Sequence, residues 1–516
     1  MVGLGTMGRN FLLNVAEHGF RCVGYDLDAE KRRLLVEEGA EWDVKAAEDP
    51  AEFVEMLESP RAIMLLVPAG KIVDSVIEDL LPHLQPGDII IDGGNSHFTD
   101  TERREIYVTE KGFGFLGVGV SGGEEGARRG PSIMPGGHLE SYRRVAPIFE
   151  AVAAKVDGVP CVAYMGRSSA GHFVKMVHNG IEYGLMQIIA ETYDLMQRVL
   201  KMDYAAMSKA FADWNNSKLN SFLIEITAEV LRKTDAETGR PLVEMILDKA
   251  AQKGTGKWTS QAAMDLGVPI PTIDAAVSMR QISAQKDVRA AIAEKYGALE
   301  VPASAAVNPA GEDVESSEQH DRKASMAAEE AKTAASEHAN AAVSGDNGQV
   351  RTQIDDADGD IAVSLEKLKN TLLSSFIVTY TQGMSMLQIA STEMDLGLDL
   401  ASIARIWRGG CIIRSSLLEE IRGAFENDPA IANLLLDDGF AQLLERTRED
   451  WHETAGKFSA SRVPSLCVSS ALSYFEAFRS ERLPANLIQA QRDFFGAHTY
   501  QRVDKEGIFH TPDWEK

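Results

Sequence analysis

The hydrophobic pattern of the chain changes once, near residue 168, and that change limits the folds open to it. Before it, four strand candidates, Arg21–Asp26, Ala62–Val67, Asp88–Asp92 and Phe115–Val120, alternate with helical stretches such as Lys71–Leu84 and Thr99–Lys111. Short continuous apolar runs are those of strands buried on both faces of a parallel sheet, with the helices as crossovers. Ser59-Pro60 and Gln85-Pro86-Gly87 punctuate the turns. From Ala170 to about Gly297, and again from Ser364 to about Arg482, the pattern is helical throughout. The expected architecture is a doubly wound α/β domain over 1–168, a large all-α domain over 169–482 and a C-terminal tail over 483–516.

Residues 301–360 interrupt the helical region. They contain no aromatic residue and hold 13 acidic against 4 basic side chains. Such a segment cannot bury enough apolar surface to offset the entropy of ordering it. It is expected to be a disordered or loosely helical insertion in a surface loop, with a transient helix around Ser325–Ala342. An inter-domain linker fits less well, because helices of one domain flank it on both sides.

The net charge of −25 comes without any compensating basic run. That argues against a nucleic-acid partner, yet a local cationic cluster can still receive an anionic small molecule. No apolar run reaches membrane-spanning length and no charged-then-apolar leader opens the chain, so no membrane partner is expected. Cys22, Cys161, Cys411 and Cys467 lie far apart with no ligand-type spacing. This predicts reduced thiols, a cytoplasmic protein and no metal site.

Gly3-Leu4-Gly5-Thr6-Met7-Gly8 has the spacing G-x-G-x-x-G. The glycines let the backbone turn tightly and approach a pyrophosphate at a helix N-terminus. An apolar periodic helix follows (Phe11, Leu12, Val15), then a strand ending at Asp26. A carboxylate about 20 residues past the glycines suits the adenosine ribose hydroxyls of NAD. The first domain therefore reads as Rossmann-like and dinucleotide-binding, with Gly3, Gly5, Thr6, Met7, Gly8, Asp26 and Val67 as candidate cofactor contacts. Asp26 and Asp28 favour NAD, while Lys31, Arg32 and Arg33 close behind leave NADP open. Asp26 also reads as a plain strand-end turn residue. Only Met1-Val2 stand before the motif, so the central first strand is either stunted or continued upstream.

Two further strands run into polar glycine turns. Ile90-Ile91-Asp92-Gly93-Gly94-Asn95-Ser96 puts Asn95 at a strand C-terminus, where doubly wound sheets meet their ligands. Asn95 is a candidate for orienting substrate or nicotinamide, or a turn asparagine. Val120-Ser121-Gly122-Gly123 offers a hydroxyl and free N–H groups, a natural carboxylate cradle, or else a flexible turn. Farther on, Gln252–Thr259 sets lysines and hydroxyls around glycines, Arg280 follows on a helix, and Arg492 and His498 stand in the tail. Each alone reads as surface; together they supply the cations a phosphorylated substrate needs.

The stretch Gly171–Tyr183 reads as helix. At about 100° per residue, Lys175, His178, Asn179 and Glu182 fall within an arc of roughly 100°. Phe173, Val174, Met176, Val177 and Ile181 are apolar, which buries the helix on most sides. Charged groups on a buried helix need partners or a job. The four form either a proton-handling set or a structural pair, Lys175–Glu182 or His178–Glu182.

These residues resemble one family, the decarboxylating 6-phosphogluconate dehydrogenases. The similarity covers nearly the whole chain outside 301–360. Its most specific pieces are Ile91–Ser96, Gly119–Ala127, Gly171–Tyr183, Gln252–Thr259, Trp407–Arg414 and Leu483–Tyr500. The resemblance implies oxidation of 6-phosphogluconate to ribulose 5-phosphate and carbon dioxide, in the pentose phosphate pathway. It implies Lys175 as general base and Glu182 as the acid that protonates the enediol. Asn95, His178 and Asn179 would hold substrate hydroxyls, and Ser121, Gly122 and Gly123 the carboxylate. Tyr183, Lys253, Thr255 and Arg280 would surround the phosphate. It also implies a homodimer in which Arg492 and His498 reach into the neighbour's site.

Three departures stand out. NADP-preferring relatives typically show Asn-Arg-Thr in place of Asp26-Leu27-Asp28, and often a lysine where Pro68 stands; both differences favour NAD here. The insertion 301–360 is unusual for the family, and the first strand is missing from the sequence except for Met1-Val2. The alternatives are the same reaction with NADP, a β-hydroxyacid dehydrogenase acting on an unphosphorylated acid, and an inactive nucleotide-binding relative.

Overall fold

The structure, a computed structural model, describes residues 1–252, 254–297, 299–300 and 354–514. The expected insertion therefore lies outside the described residues over 301–353, as does Lys253.

Val2 is the hinge of the N-terminal sheet. It bridges in parallel to Tyr25 on one side and to Leu65 on the other. Its N–H donates to the Met64 carbonyl and its own carbonyl accepts from Leu66, both at 2.8 Å. Met1 pairs beside it, accepting from the Tyr25 amide at 2.9 Å, so these residues stand in the place of a first strand. They join the parallel pair Cys22–Gly24 and Val44–Ala46 to a four-stranded sheet. That sheet runs Ala62–Leu65, Ile89–Asp92, Gly114–Ser121 in parallel, then Ser132–Gly137 antiparallel. The helices Thr6–Glu17, Lys71–Leu80 and Phe98–Glu110 lie between the strands. The expected α/β architecture is present, followed by the expected helical region.

Four described strands escape the apolar pattern, two of them the short antiparallel pair Lys155–Val156 and Val159–Pro160. Val44–Ala46 is a short half-exposed edge. Ser132–Gly137 is fully buried although it reads Ser-Ile-Met-Pro-Gly-Gly. Its strand character comes from pairing with Gly114–Ser121, and its small residues let a helix approach. A Cβ on Gly136 would lie 2.2 Å from the Gly171 nitrogen, and one on Gly171 would lie 2.2 Å from the Gly117 carbonyl oxygen. Gly117 and Gly119 alternate along one face of their strand, and a Cβ on Gly119 would meet the Lys175 Cβ at 2.4 Å. The glycine-lined sheet face therefore sets where Lys175 stands.

The helix that docks there, Ala170–Arg198, is buried at every position from Ala170 to Ile181. A helix apolar nearly all round belongs inside a core. Helix Ile354–Glu393 packs along it through reciprocal glycine contacts, Gly184 against Thr379 and Gly383 against Ile181. This second helix corrects one expectation. It begins at Ile354, ten residues before Ser364, inside the stretch expected as insertion. The acidic residues of 354–360 marked that stretch as insertion by composition, yet they continue a helix whose later turns are held by tertiary packing.

The tail is also more ordered than its weak core pattern suggests. It forms helix Ala485–Gly496 and a return bridged at Tyr500–Phe509. The buried Asp493 carboxylate organises it, accepting from the Thr499 and Thr511 amides, the Trp514 indole and His510. Among the described residues no helix is long and apolar enough to cross a membrane, and all four cysteines are free and buried.

Candidate active site

Lys175, His178, Asn179 and Glu182 face one point at the sheet's carboxyl edge. Lys175 Nζ donates to Asn179 Oδ1 at 2.7 Å and lies 3.4 Å from His178 Nδ1. The other ring nitrogen of His178 is 3.2 Å from Ser121 Oγ, which ties the helix to the Ser-Gly-Gly turn. Glu182 stays 3.8 Å from His178 Nδ1. Among the described residues no Lys175–Glu182 ion pair forms. The edge of Trp407 packs on the His178 ring at 5.5 Å and fixes its orientation.

Burial decides the protonation of this group. It lowers the Lys175 amine from its ordinary value, against the opposing charges of Glu182 and Cys411. It lowers His178 well below its usual range, and Lys175 pushes the same way. It raises the Glu182 carboxyl, against Lys175 and Arg280. The set therefore tends toward a neutral lysine and a protonated acid, the states required of a base and a proton donor.

Gly122 and Gly123 both adopt positive φ, 123° and 65°. A Cβ on Gly122 would lie 2.6 Å from the Gly410 carbonyl, so the turn closes only with glycine. Segment Trp407–Arg414 thus backs the cradle, and Gly410 also accepts from the Ser132 amide at 2.8 Å.

Across the sheet edge lies a cleft of about 970 Å³. Gly3, Gly5, Thr6, Met7, Gly8, Asp26, Val67 and Asn95 all line it. Gly8 is forced, since a Cβ there would lie 1.8 Å from the Gly3 carbonyl, whereas Gly5 opens on free space. Helix Thr6–Glu17 starts at this point with no side-chain cap, leaving its first amides to a ligand. These features fit a dinucleotide pyrophosphate. The Asp26 carboxylate accepts from the Leu4 amide at 2.8 Å and from the Asp28 amide at 3.0 Å, with Lys31 Nζ 3.5 Å away. Arg32 is turned onto the Asp26 and Leu27 carbonyls.

On the far side of the lysine, Tyr183, Thr255 and Arg280 come together. The Arg280 guanidinium stacks 3.5 Å above the Tyr183 ring. Gly256 lets helix Thr255–Asp265 press on that ring, where a Cβ would lie 2.5 Å from it. Thr259 locks the contact by donating to the Met176 carbonyl at 2.9 Å. Arg492 and His498 are not brought here. Arg492 bonds Gln489, and His498 packs on Phe495 within the tail.

Several residues had no role in the sequence reading. Trp407 orients His178, and the His97 and Trp258 rings meet edge-on at 4.9 Å while both line the cleft. Trp258 and Trp407 sit in runs that the resemblance marks, so their position was signalled but their partners were not.

The chain is similar to known proteins over its whole length. The family model described as 6-phosphogluconate dehydrogenase, C-terminal domain, matches residues 171–514. The NAD binding domain of 6-phosphogluconate dehydrogenase matches residues 1–166. A protein of Lactococcus lactis subsp. lactis (strain IL1403) named 6-phosphogluconate dehydrogenase, decarboxylating, is 45% identical over 516 residues, covering 100% of this chain and 98% of its own. One of Bacillus subtilis (strain 168), named as NADP(+)-dependent and decarboxylating, is 44% identical over the same shares. The structure of Plasmodium falciparum 6-phosphogluconate dehydrogenase, described in apo form, with NADP+ and with 6-phosphogluconate, aligns with a TM-score of 0.86 at 38% identity over 99% of each chain.

Proposed function

We propose, for a chain that belongs to the 6-phosphogluconate dehydrogenase family and is a decarboxylating oxidoreductase of NAD(P), a division of labour along one helix. The observation that supports it is the buried Lys175–Asn179–His178 group standing between the dinucleotide cleft, the Ser-Gly-Gly turn and the Tyr183–Arg280 stack. Residues 1–168 bind the dinucleotide, 169–482 hold the sugar acid, and 483–516 complete a neighbour's site.

When bound, the nicotinamide supplies the hydride acceptor. The neutral Lys175 amine takes the proton of the carbon-3 hydroxyl as the hydride leaves that carbon. The resulting β-keto acid loses carbon dioxide, with Lys175 returning its proton to the keto oxygen. Glu182 then delivers a proton to the enediol carbon while the neutral Lys175 amine takes the proton of the enediol hydroxyl, giving ribulose 5-phosphate. Ser121, Gly122 and Gly123 hold the carboxylate, Asn95, His178 and Asn179 the hydroxyls, and Tyr183, Lys253, Thr255 and Arg280 the phosphate.

NAD is the preferred dinucleotide in this reading. A 2′-phosphate would meet the Asp26 carboxylate, whose place is held by the Leu4 amide, and Leu27 beside it is 88% exposed and uncharged. NADP is the second reading, favoured by Lys31 and Arg32 at the same edge. The protein acts in the cytoplasm as a homodimer. Leu487, Ile488, Phe494 and Phe495 of the tail helix are exposed, an apolar face that a second copy would cover. Turnover of 6-phosphogluconate with each dinucleotide in parallel tests the function. A higher kcat/KM with NAD is expected; a clear preference for NADP overturns the cofactor reading, and no turnover with either overturns the whole.

A further inference from the structure

Among the described residues Arg104 is the most deeply buried cation near the cleft that the reaction does not use. Its side chain is 1% exposed, and it is absent from the cleft's lining. Burying a guanidinium is costly unless its donors are matched. Here the planar fork is divided between two loops. Nε donates to Asp74 Oδ1 at 2.8 Å, and Nη2 to the Gly70 carbonyl at 2.9 Å. On the other side Nη1 reaches Asp92 Oδ2 and Ser96 Oγ, both at 3.2 Å.

These partners are the roots of the two cleft walls. Val67, Pro68, Ala69 and Gly70 line one side, and Gly93, Gly94 and Asn95 line the other. Gly70 turns with φ +92° into helix Lys71–Leu80, which carries Asp74. Asp92 holds the second turn itself, accepting from the Gly94 amide at 3.1 Å and Ser96 Oγ at 2.7 Å. Helix Phe98–Glu110, which carries Arg104, also touches the base's helix. Thr101 Oγ1 lies 2.7 Å from His172 Nδ1, three residues before Lys175, and Phe98 packs edge-on to Phe173 at 5.1 Å.

We propose that Arg104 is a positioning residue for the dinucleotide. Its guanidinium bolts the Val67–Gly70 loop to the Gly93–Asn95 turn, sets the spacing of the cleft walls and references the nicotinamide end to Lys175. Only a planar five-donor group spans both loops; the point charge of a lysine reaches one of them at a time. The inference rests on the cleft being the dinucleotide site.

The test is calorimetric titration of full-length Arg104→Lys with NAD and with NADP, beside steady-state kinetics. Loss of one charge-assisted bond should raise the dinucleotide Kd and KM by about ten-fold or more and lower kcat, while KM for 6-phosphogluconate stays within about two-fold. Asp74→Asn should weaken dinucleotide binding less, and should add little when combined with Arg104→Lys. A dinucleotide Kd within about two-fold of native in folded Arg104→Lys, or an equal rise of both KM values, overturns the proposal. Should Arg104→Lys fail to fold, an unchanged Kd in Asp74→Asn overturns it instead, and a raised one supports it. Native protein that binds neither dinucleotide defeats the reading of the cleft itself, and this inference with it.

Discussion

Lys175 Nζ sits 2.7 Å from the amide oxygen of Asn179, one helical turn on, and makes no ion pair with Glu182. A neutral acceptor orients the amine without supplying a counter-charge that would hold its proton. Burial then lowers the lysine and raises the glutamate, against the attraction each charge exerts on the other. The same two residues, joined in a salt bridge, would be a structural pair with no chemistry to do.

The pH profile follows from those directions. In the proposed mechanism turnover needs Lys175 neutral and Glu182 protonated. It should rise with pH as Lys175 gives up its proton and fall as Glu182 loses its own. Glu182→Gln should lower kcat by on the order of 10²-fold or more and remove the falling limb of the profile. A falling limb that persists unchanged would assign it to another group.

In the proposed reading Asp26 carries the cofactor preference through charge. Asp26→Asn keeps an acceptor for the Leu4 amide while removing the repulsion toward a 2′-phosphate. The ratio of kcat/KM for NADP over NAD should rise roughly ten-fold, about 1.4 kcal/mol. An unchanged ratio would place the selectivity elsewhere.

Gly171 tests how the base is placed. A methyl group there would lie 2.2 Å from the Gly117 carbonyl and 2.3 Å from that of Met134, and backbone cannot step aside. Gly171→Ala should cost about 1–3 kcal/mol, read by denaturant unfolding, and should lower kcat by shifting Lys175. Native stability and turnover would mean that the helix docks more loosely than the glycine contacts indicate.

Asp493 tests the tail. Burial pulls its carboxyl upward, but hydrogen bonds from Thr511, His510, Trp514 and Thr499 outweigh it and hold it at about 2. A depressed carboxyl stabilises fully above the usual range near 4 and loses that contribution as pH falls toward 2. Asp493→Ala should loosen the tail that carries Arg492 and His498. KM for 6-phosphogluconate should rise about ten-fold, with dinucleotide binding unchanged. A normal KM would remove the tail from substrate recognition.

The alignment of Lys175, His178, Asn179 and Glu182 was legible because helical period alone places them on one stripe. The glycine turn, Asn95 and Ser121 were legible because strand C-termini share an edge in this architecture. What the sequence hides is set by side-chain geometry and tertiary pairing. Nothing local says that Lys175 bonds Asn179 in place of Glu182, or that Arg104, in a polar helix beside Arg103, turns inward to two loops. Ser132–Gly137 has the composition of a turn and becomes a strand only beside Gly114–Ser121. Ile354 and the acids after it read as insertion by composition, yet they open a helix that later packs along Ala170–Arg198.

The central claim, that Lys175 is the base, is tested most directly by NAD(P)H formation from 6-phosphogluconate in Lys175→Met, with dinucleotide affinity measured alongside. The account predicts a loss of kcat on the order of 10³-fold or more, with dinucleotide Kd unchanged. Turnover within about ten-fold of native, from protein that binds its dinucleotide normally, would contradict it.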